Sequence, residues 1–246
     1  MELKDQIIFG RKPVLDAIRS GIEIDKVLVI QSLRGEFEIE IRNRSKEHGF
    51  SIQRVPQEKL NKVSRNHTHQ GIIAYLSPLK YQNLRTMLPE ILESEKDPVL
   101  LIMDGVEDVR NFGAIGRSAL AFGVDMIVTF AKGNARINDV AVKTSAGALL
   151  NIPVCKEKDV METLSYLGSL GVTVMASSLD SEQYLEDIKV DGPIAVVMGS
   201  EERGVSKVTT DYADSTFKIK QSNKMDSLNV SVAAGIILHH IYNQQK

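Results

Sequence analysis

The sequence predicts an α/β protein in which a doubly wound parallel sheet follows a small α/β domain, and three observations carry that prediction. Val99-Leu100-Leu101-Ile102-Met103 runs unbroken and apolar into Asp104, the pattern of a strand buried on both faces of a parallel sheet. Further strand-like runs at 126–130, 172–176 and 194–198 alternate with helix-like stretches such as 160–170. Upstream, about 75 residues hold two helical patterns among three strand patterns, the size of a small domain with its own core.

In chain order, Gly10-Arg11-Lys12-Pro13-Val14-Leu15 reads as a loop entering a helix, with Pro13 in the first turn and Val14, Leu15 and Ile18 on one face. Residues 26–30 are a short buried strand, 37–44 a helix, 50–55 an alternating strand and 72–75 another strand. Residues 78–97, bounded by Pro98, hold two further prolines and the amphipathic stretch 84–92, either a linker or the helix that opens the next domain. The boundaries predicted are therefore 1–77, a linker at 78–97, and 98–246. Near the end, 218–221 reads as a strand, and Ser227-Leu228-Asn229-Val230-Ser231 opens a helix continued by Ile236-Ile237-Leu238.

Composition narrows the function. Hydrophobic residues at 43% and charged ones at 25% are ordinary for a globular protein, and no apolar run is long enough to span a bilayer. Met1-Glu2-Leu3-Lys4-Asp5 lacks the regions of a secretory signal, so a cytoplasmic protein without a membrane partner is expected. The single cysteine, Cys155, has no internal disulfide partner, and none of the five histidines has zinc-ligand spacing, so no metal is expected. The net charge of −2 hides an asymmetry: residues 1–80 carry 14 Lys+Arg against 10 Asp+Glu, and the remainder carries a net −6. A local basic surface suffices to engage RNA phosphates. In this part Arg11, Lys12, Arg65, Asn66, His67, His69 and Gln70 gather in loops, where binding groups tend to sit. Arg11 and Lys12 suit phosphates, and Asn66, His67 and Gln70 suit bases or ribose hydroxyls. A polar turn with its histidines satisfied by backbone is the competing account.

A parallel sheet raises the prior for a nucleotide-like ligand at the carboxyl ends of its strands. The usual fingerprints fail. No two of the 17 glycines are separated by a single residue, so no G-x-G loop exists, which removes the fingerprint of a nucleotide-dependent oxidoreductase. Gly199-Ser200-Glu201-Glu202-Arg203-Gly204 has the glycine spacing of a P-loop, yet Val205 follows where Lys is needed and two carboxylates would repel phosphates. No G-x-S-x-G elbow is present. Three strand-end loops are more polar than turns require: 104–119, 198–205 and the stretch at 227–235. Within the first, Arg117 stands in a small, apolar helical run where a guanidinium needs a carboxylate or a ligand, Glu201 being the structural candidate.

Asn111-x-Gly113-Ala114-x-x-Arg117-Ser118-Ala119, Met198-Gly199-x-Glu201-x-x-Gly204 and Ser227-Leu228-Asn229-Val230-Ser231-Val232-Ala233, in this order, resemble the three motifs of the SpoU-type ribose methyltransferases of the SPOUT superfamily. The preceding domain, with Gly10-Arg11-x-Pro13-Val14 and His69-Gln70-Gly71-Ile72, resembles the N-terminal RNA-binding domain of the ribosomal RNA members. The resemblance implies a deep trefoil knot near the C-terminus, S-adenosylmethionine bound in it, a homodimer with active sites at the subunit interface, and methyl transfer to a ribose 2'-hydroxyl. It implies that Arg117 acts on that hydroxyl, that Asn111 and Glu201 orient Arg117 and the reactants, and that Ser227 and Asn229 position substrate and cofactor. The cofactor cradle is expected around Thr144, Gly147, Met198, Gly199, Ile219 and Leu228, and RNA contacts at Arg11, Lys12, Arg65, Asn66, His67 and Gln70. The implied acceptor is a 23S ribosomal RNA guanosine, with a transfer RNA enzyme or a non-catalytic ribosome-assembly factor on the same scaffold as rivals. One departure stands out: where the family has Ile-Pro-Met and a nearby Gly, this chain has Ile219-Lys220-Gln221-Ser222-Asn223-Lys224-Met225-Asp226.

Overall fold

The structure, a computed structural model, describes residues 7–93, 97–222, 224 and 226–245. The segment from Met1 to Asp5, read above as lacking a secretory signal, lies outside the described residues, as do Asn223 and Met225 of the departing loop. The chain divides into two compact units, one running to Lys80 with residues 137–139, the other comprising Tyr81–Arg136 and Val140–Lys246. No helix among the described residues is long and apolar enough to cross a membrane.

The first unit runs β1 (Ile7–Phe9), α1 (Arg11–Arg19), β2 (Ile24–Ile30), α2 (Glu36–His48), β3 (Ser51–Val55), α3 (Gln57–Val63) and β4 (Ile72–Leu76). The sheet order is β1-β4-β2-β3, antiparallel except for β2 and β3. Side chains alternate across β2: Val27 and Val29 join Val14, Ile18 and Ile41 of α1 and α2 on one face, while Leu28 joins Leu60 of α3 on the other. Pro13 sits in the first turn of α1, as predicted, and Gly10 before it holds φ 99°, a value that glycine adopts freely. The unit thus has four strands and three helices, not three and two. β1 is only three residues long, and α3 fully buries only Leu60, so neither shows a periodicity that the sequence could reveal.

The second unit runs α4 (Leu84–Leu92), β5 (Val99–Asp104), α5 (Val109–Ala121), β6 (Met126–Phe130), α6 (Asp139–Thr144), β7 (Val154–Glu157), α7 (Val160–Ser169), β8 (Thr173–Ser177), β9 (Ile194–Gly199), α8 (Lys207–Tyr212), β10 (Ser215–Phe217) and α9 (Val230–Gln244). Its sheet has the order β10-β8-β9-β5-β6-β7 with every neighbouring pair parallel. All six residues of β5 are buried, as its unbroken apolar run predicts. One core layer joins Leu100, Ile102, Val128, Ala195 and Val197 of the sheet to Leu84 and Leu88 of α4 and Leu164 and Leu167 of α7. Residues 84–92 are therefore a helix of this core, capped by Asn83. The strand expected at 218–221 is not formed. β10 ends at Phe217, its last fully buried side chain, and Lys218 keeps only a single bridge to Tyr184 before the chain leaves the sheet.

Two glycines let α5 approach what lies beneath it. A Cβ on Gly113 would stand 2.6 Å from the carbonyl oxygen of Ala141 and 2.8 Å from Cβ of Thr144, and one on Gly116 would stand 2.5 Å from Leu149. Helix propensity favours alanine over glycine by about 1 kcal/mol, whereas this crowding against backbone opposes it by roughly 1–3 kcal/mol. Gly113→Ala is accordingly expected to lower the melting temperature, measured calorimetrically; a rise would show that propensity outweighs the contact. Burial, with a smaller contribution from the Glu157 carboxylate, pushes the Cys155 thiol up to about 12. The thiolate is the reactive form, so at neutral pH Cys155 should resist iodoacetamide in the native protein and react only after denaturation, as mass spectrometry would read.

Candidate active site

In a parallel sheet every strand delivers its following loop to the same edge, and β5 and β9 are neighbours. The loop after β5 is fixed by Asn134, whose carbonyl oxygen accepts the Gly105 and Val106 N–H groups at 3.0 and 2.7 Å while its amide donates to the Met103 carbonyl at 2.7 Å. Asp108 then caps α5, accepting from the N–H groups of Arg110 and Asn111 at 2.7 and 2.8 Å, so Asn111 lies in the first helical turn. At the end of the strand, Asp104 accepts the Ser206 N–H at 2.8 Å and the Thr209 hydroxyl at 2.6 Å, which ties the start of α8 to β5.

The loop after β9 explains the P-loop-like glycine spacing. Ser200 and Gly204 exchange backbone hydrogen bonds of 2.8 and 2.9 Å, folding the loop back on its own strand. A Cβ on Gly199 would lie 2.0 Å from the Gly204 carbonyl carbon, so no side chain fits there. The purpose of the glycines is this tight return, and it holds Glu201, Glu202 and Arg203 outward.

Three residues from three distant loops then meet. The Asn111 amide donates to the Glu201 carboxylate at 3.2 Å, and the Asn229 amide donates to the Asn111 carbonyl at 3.2 Å and to both Glu201 oxygens at 3.4 Å. The Asn229 carbonyl meanwhile caps α9, accepting the Ser231 N–H at 3.0 Å and the Ser231 hydroxyl at 2.6 Å. Helix capping and site assembly are performed by opposite ends of one side chain. The N-termini of α5 and α9 both bear on this point, and their partial positive charge favours the Glu201 carboxylate.

A cavity of about 340 Å³ adjoins the junction, walled by Met198, Gly199, Ile219, Ser227, Leu228 and Ala233, with Ser177 to Asp180 across from them. A second hollow of about 440 Å³ lies between the β5 loop and Glu201 and Arg203, with Asn111 in its wall. The Ser200–Arg203 segment borders both. Of the expected cofactor residues, Met198, Gly199, Ile219 and Leu228 line the first cavity; Thr144 and Gly147 line neither. Thr144 instead packs beneath Gly113, and Gly147, at φ 84°, turns the chain into the short 3-10 helix at Ala148–Leu150.

Arg117 departs from expectation. It is exposed and makes no ion pair or hydrogen bond among the described residues, so it pairs with none of Glu201, Asn111 and Ser227 of its own chain. Helical phase is the reason: six residues on from Asn111, at about 100° each, position 117 lies roughly 120° around the helix from it. Past β10, the Gln221 amide donates to the Asp226 carbonyl at 3.2 Å, and the ammonium groups of Lys218 and Lys220 stand 5.3 and 6.0 Å from the Tyr184 ring. In the first unit, His69 is buried between the Asn61 side chain and the Gly71 N–H, an internal anchor, while Arg11, Lys12, Arg65, Asn66, His67 and Gln70 are exposed. Sequence reasoning missed Asn134, which hides in an ordinary Gly-Asn turn, and the partnering role of Ser231.

The fold and site define a two-unit α/β protein with a polar junction and a cleft at the strand ends of a parallel sheet. Residues 98–239 match the SpoU rRNA Methylase family and residues 7–82 match the family described as RNA 2'-O ribose methyltransferase substrate binding. The chain belongs to the SpoU rRNA methylase family. A protein of Staphylococcus haemolyticus named for the TrmH family of tRNA/rRNA methyltransferases is 31% identical over 243 residues, covering 99% of this chain and 97% of the relative. Among solved structures, the SpoU methyltransferase AviRb from Streptomyces viridochromogenes, in complex with AdoMet, aligns over 97% of this chain and 90% of its own at a TM-score of 0.61 and 18% identity. An AdoMet-bound rRNA methyltransferase from Sinorhizobium meliloti aligns over 96% and 86% at a TM-score of 0.62 and 21% identity.

The junction makes a testable prediction. Asn229→Ala removes a cap worth about 1 kcal/mol and one amide donor to the Glu201 carboxylate. Asn229→Asp keeps the cap but sets a second carboxylate beside Glu201, a like-charge contact. Denaturant titrations at neutral pH should show both variants destabilised, with the deficit of Asn229→Asp shrinking as salt is raised and that of Asn229→Ala unchanged.

Proposed function

We propose that the protein transfers a methyl group from S-adenosylmethionine to a ribose 2'-hydroxyl of RNA. The observation that carries this is the junction of Asn111, Glu201 and Asn229, one residue from each family motif, beside a cavity whose size and wall suit an adenosine-bearing ligand. Leu179, Met198, Ile219, Leu228 and Ala233 supply the apolar wall, and Asp180 and Ser227 supply polar groups for ribose hydroxyls or the amino acid part. When bound, S-adenosylmethionine supplies a methyl carbon made electrophilic by the attached sulfonium.

The chain's own residues then have two tasks, alignment of the hydroxyl oxygen with that carbon and stabilisation of the oxygen as its proton leaves. Glu201, held by two amides, keeps the strand-end loops in register and offers a fixed negative edge. A guanidinium stays protonated and is a poor base; the role of Arg117 in this reading is electrostatic stabilisation of the developing alkoxide. Since Arg117 does not reach the junction of its own chain, we infer that it serves the site of a second copy in a homodimer. Exposed apolar side chains on the two mutually packed helices support that inference: Leu120 of α5 is 41% exposed, and Val232 and Ile236, one turn apart on α9, are 52% and 41% exposed. In the same reading the chain is knotted near its C-terminal end, between β10 and α9, and Lys220 and Lys224 meet RNA.

The acceptor proposed is ribosomal RNA, a guanosine of the 23S molecule; the match over residues 7–82 supports an RNA substrate, and the description of the family matched by residues 98–239 names rRNA. The Staphylococcus haemolyticus relative's name spans transfer and ribosomal RNA, so 2'-O-methyl groups are to be mapped by mass spectrometry on both RNA classes from cells with and without the gene. Loss of one ribosomal guanosine mark is expected; loss of a transfer RNA mark would move the acceptor, and absence of S-adenosylmethionine binding by calorimetry would favour a non-catalytic assembly factor. Arg117→Ala should keep folding and cofactor affinity and abolish transfer. Mixing subunits bearing Arg117→Ala with subunits bearing Asn229→Ala should restore part of the activity, because one site of the mixed dimer regains both groups; no restoration would place Arg117 outside the partner's site.

A further inference from the structure

A corner of the first unit gathers planar groups beyond what its core requires. Phe9 closes β1, and the His67 ring lies flat against it, with centroids 5.5 Å apart and 10° between the planes. His67 is exposed, and its imidazole makes no hydrogen bond among the described residues, so Phe9 backs one face of the ring and solvent meets the other. At the start of α1 the Arg11 guanidinium lies over the Phe37 ring at 4.8 Å. The Arg11 backbone N–H donates to the Gln70 side-chain oxygen at 2.9 Å and its Nε donates to the Gln70 carbonyl at 3.4 Å, which ties Arg11 to the loop carrying His67. Arg11 has no ion pair among the described residues.

The loop itself is strained. Arg65, Asn66 and Gln70 hold φ of 52°, 62° and 49°, three of the four non-glycine positive values among the described residues. Such conformations persist only where the surroundings fix them, and they gather at ligand clamps. Buried His69 does the fixing, between the Asn61 side chain at 2.8 Å and the Gly71 N–H at 3.0 Å. The side chains of Arg65 and Asn66 are left exposed and without hydrogen bonds among the described residues.

We propose that this corner clamps one unpaired nucleotide of the substrate RNA: the base stacks on the open face of His67 with Arg65 and Asn66 at its edge, and the adjoining phosphate meets Arg11. The proposal rests on the RNA reading given above and names the form of RNA recognised, a loop or bulge. A base inside a duplex has no free face to offer, whereas a splayed base stacks on an aromatic ring whatever its identity. An arginine already placed over a ring loses less freedom when it binds phosphate.

The full-length protein is to be titrated into an RNA hairpin carrying 2-aminopurine in its loop and into a blunt RNA duplex of equal length. Wild type should bind the hairpin more tightly and quench its fluorescence. His67→Ala should weaken hairpin binding about tenfold and abolish the quench, His67→Trp should restore both, and duplex affinity should be the same for all three. Equal wild-type affinity for hairpin and duplex, or full quenching by His67→Ala, overturns the clamp. An unchanged thermal melting profile and unchanged duplex affinity in His67→Ala show that a hairpin defect is not unfolding of the first unit, and S-adenosylmethionine calorimetry on the same samples separates the two readings. A wild type that binds the cofactor but treats hairpin and duplex alike sinks the clamp while methyl transfer stands.

Discussion

Everything at the candidate site depends on the Glu201 carboxylate being reached by amides from two other loops. Asn111 lies 90 residues before it and Asn229 28 residues after it, and they converge because β5 and β9 are adjacent parallel strands while α9 packs against α5. The junction is also how the second unit closes on itself at that edge, since Asn229 starts the last helix with its other end. Gly199 makes the arrangement possible. Without its missing Cβ the β9 loop could not double back, and Glu201 would not stand at the meeting point.

How much of this was legible in the sequence varies with burial. The central strands announced themselves, because a strand covered on both faces has no polar positions to dilute its apolar run. Edge and accessory elements did not. β1 and β10 have three residues each, and α3 turns on the single buried Leu60, so local pattern carried no signal. Asn111, Glu201 and Asn229 were legible as polar residues in excess of what turns need. Asn134 was not, since Gly-Asn in a loop looks the same whether or not its amide clamps a neighbouring strand end.

Arg117 shows where composition misleads. The small residues around it suggested a buried helix in which a guanidinium needs a partner. Gly113, Gly116 and Ala119 are buried, but the smallness of the two glycines serves close packing on 141–149, and Arg117 between them and Ala119 is exposed. Composition identified the buried face of α5, and only helical phase assigns Arg117 to the opposite one. The 218–226 segment has a comparable lesson. The proline and nearby glycine expected from the family resemblance are absent from Ile219-Lys220-Gln221-Ser222-Asn223, and a Gln221 to Asp226 hydrogen bond links two described residues of this segment.

The segment from Ser200 to Arg203 is a partition with a chamber on either side. A partition only four residues thick, pinned at its base by two backbone hydrogen bonds, cannot be reshaped toward one compartment without altering the other. A change at Glu202 or Arg203 therefore alters the wall of both chambers at once.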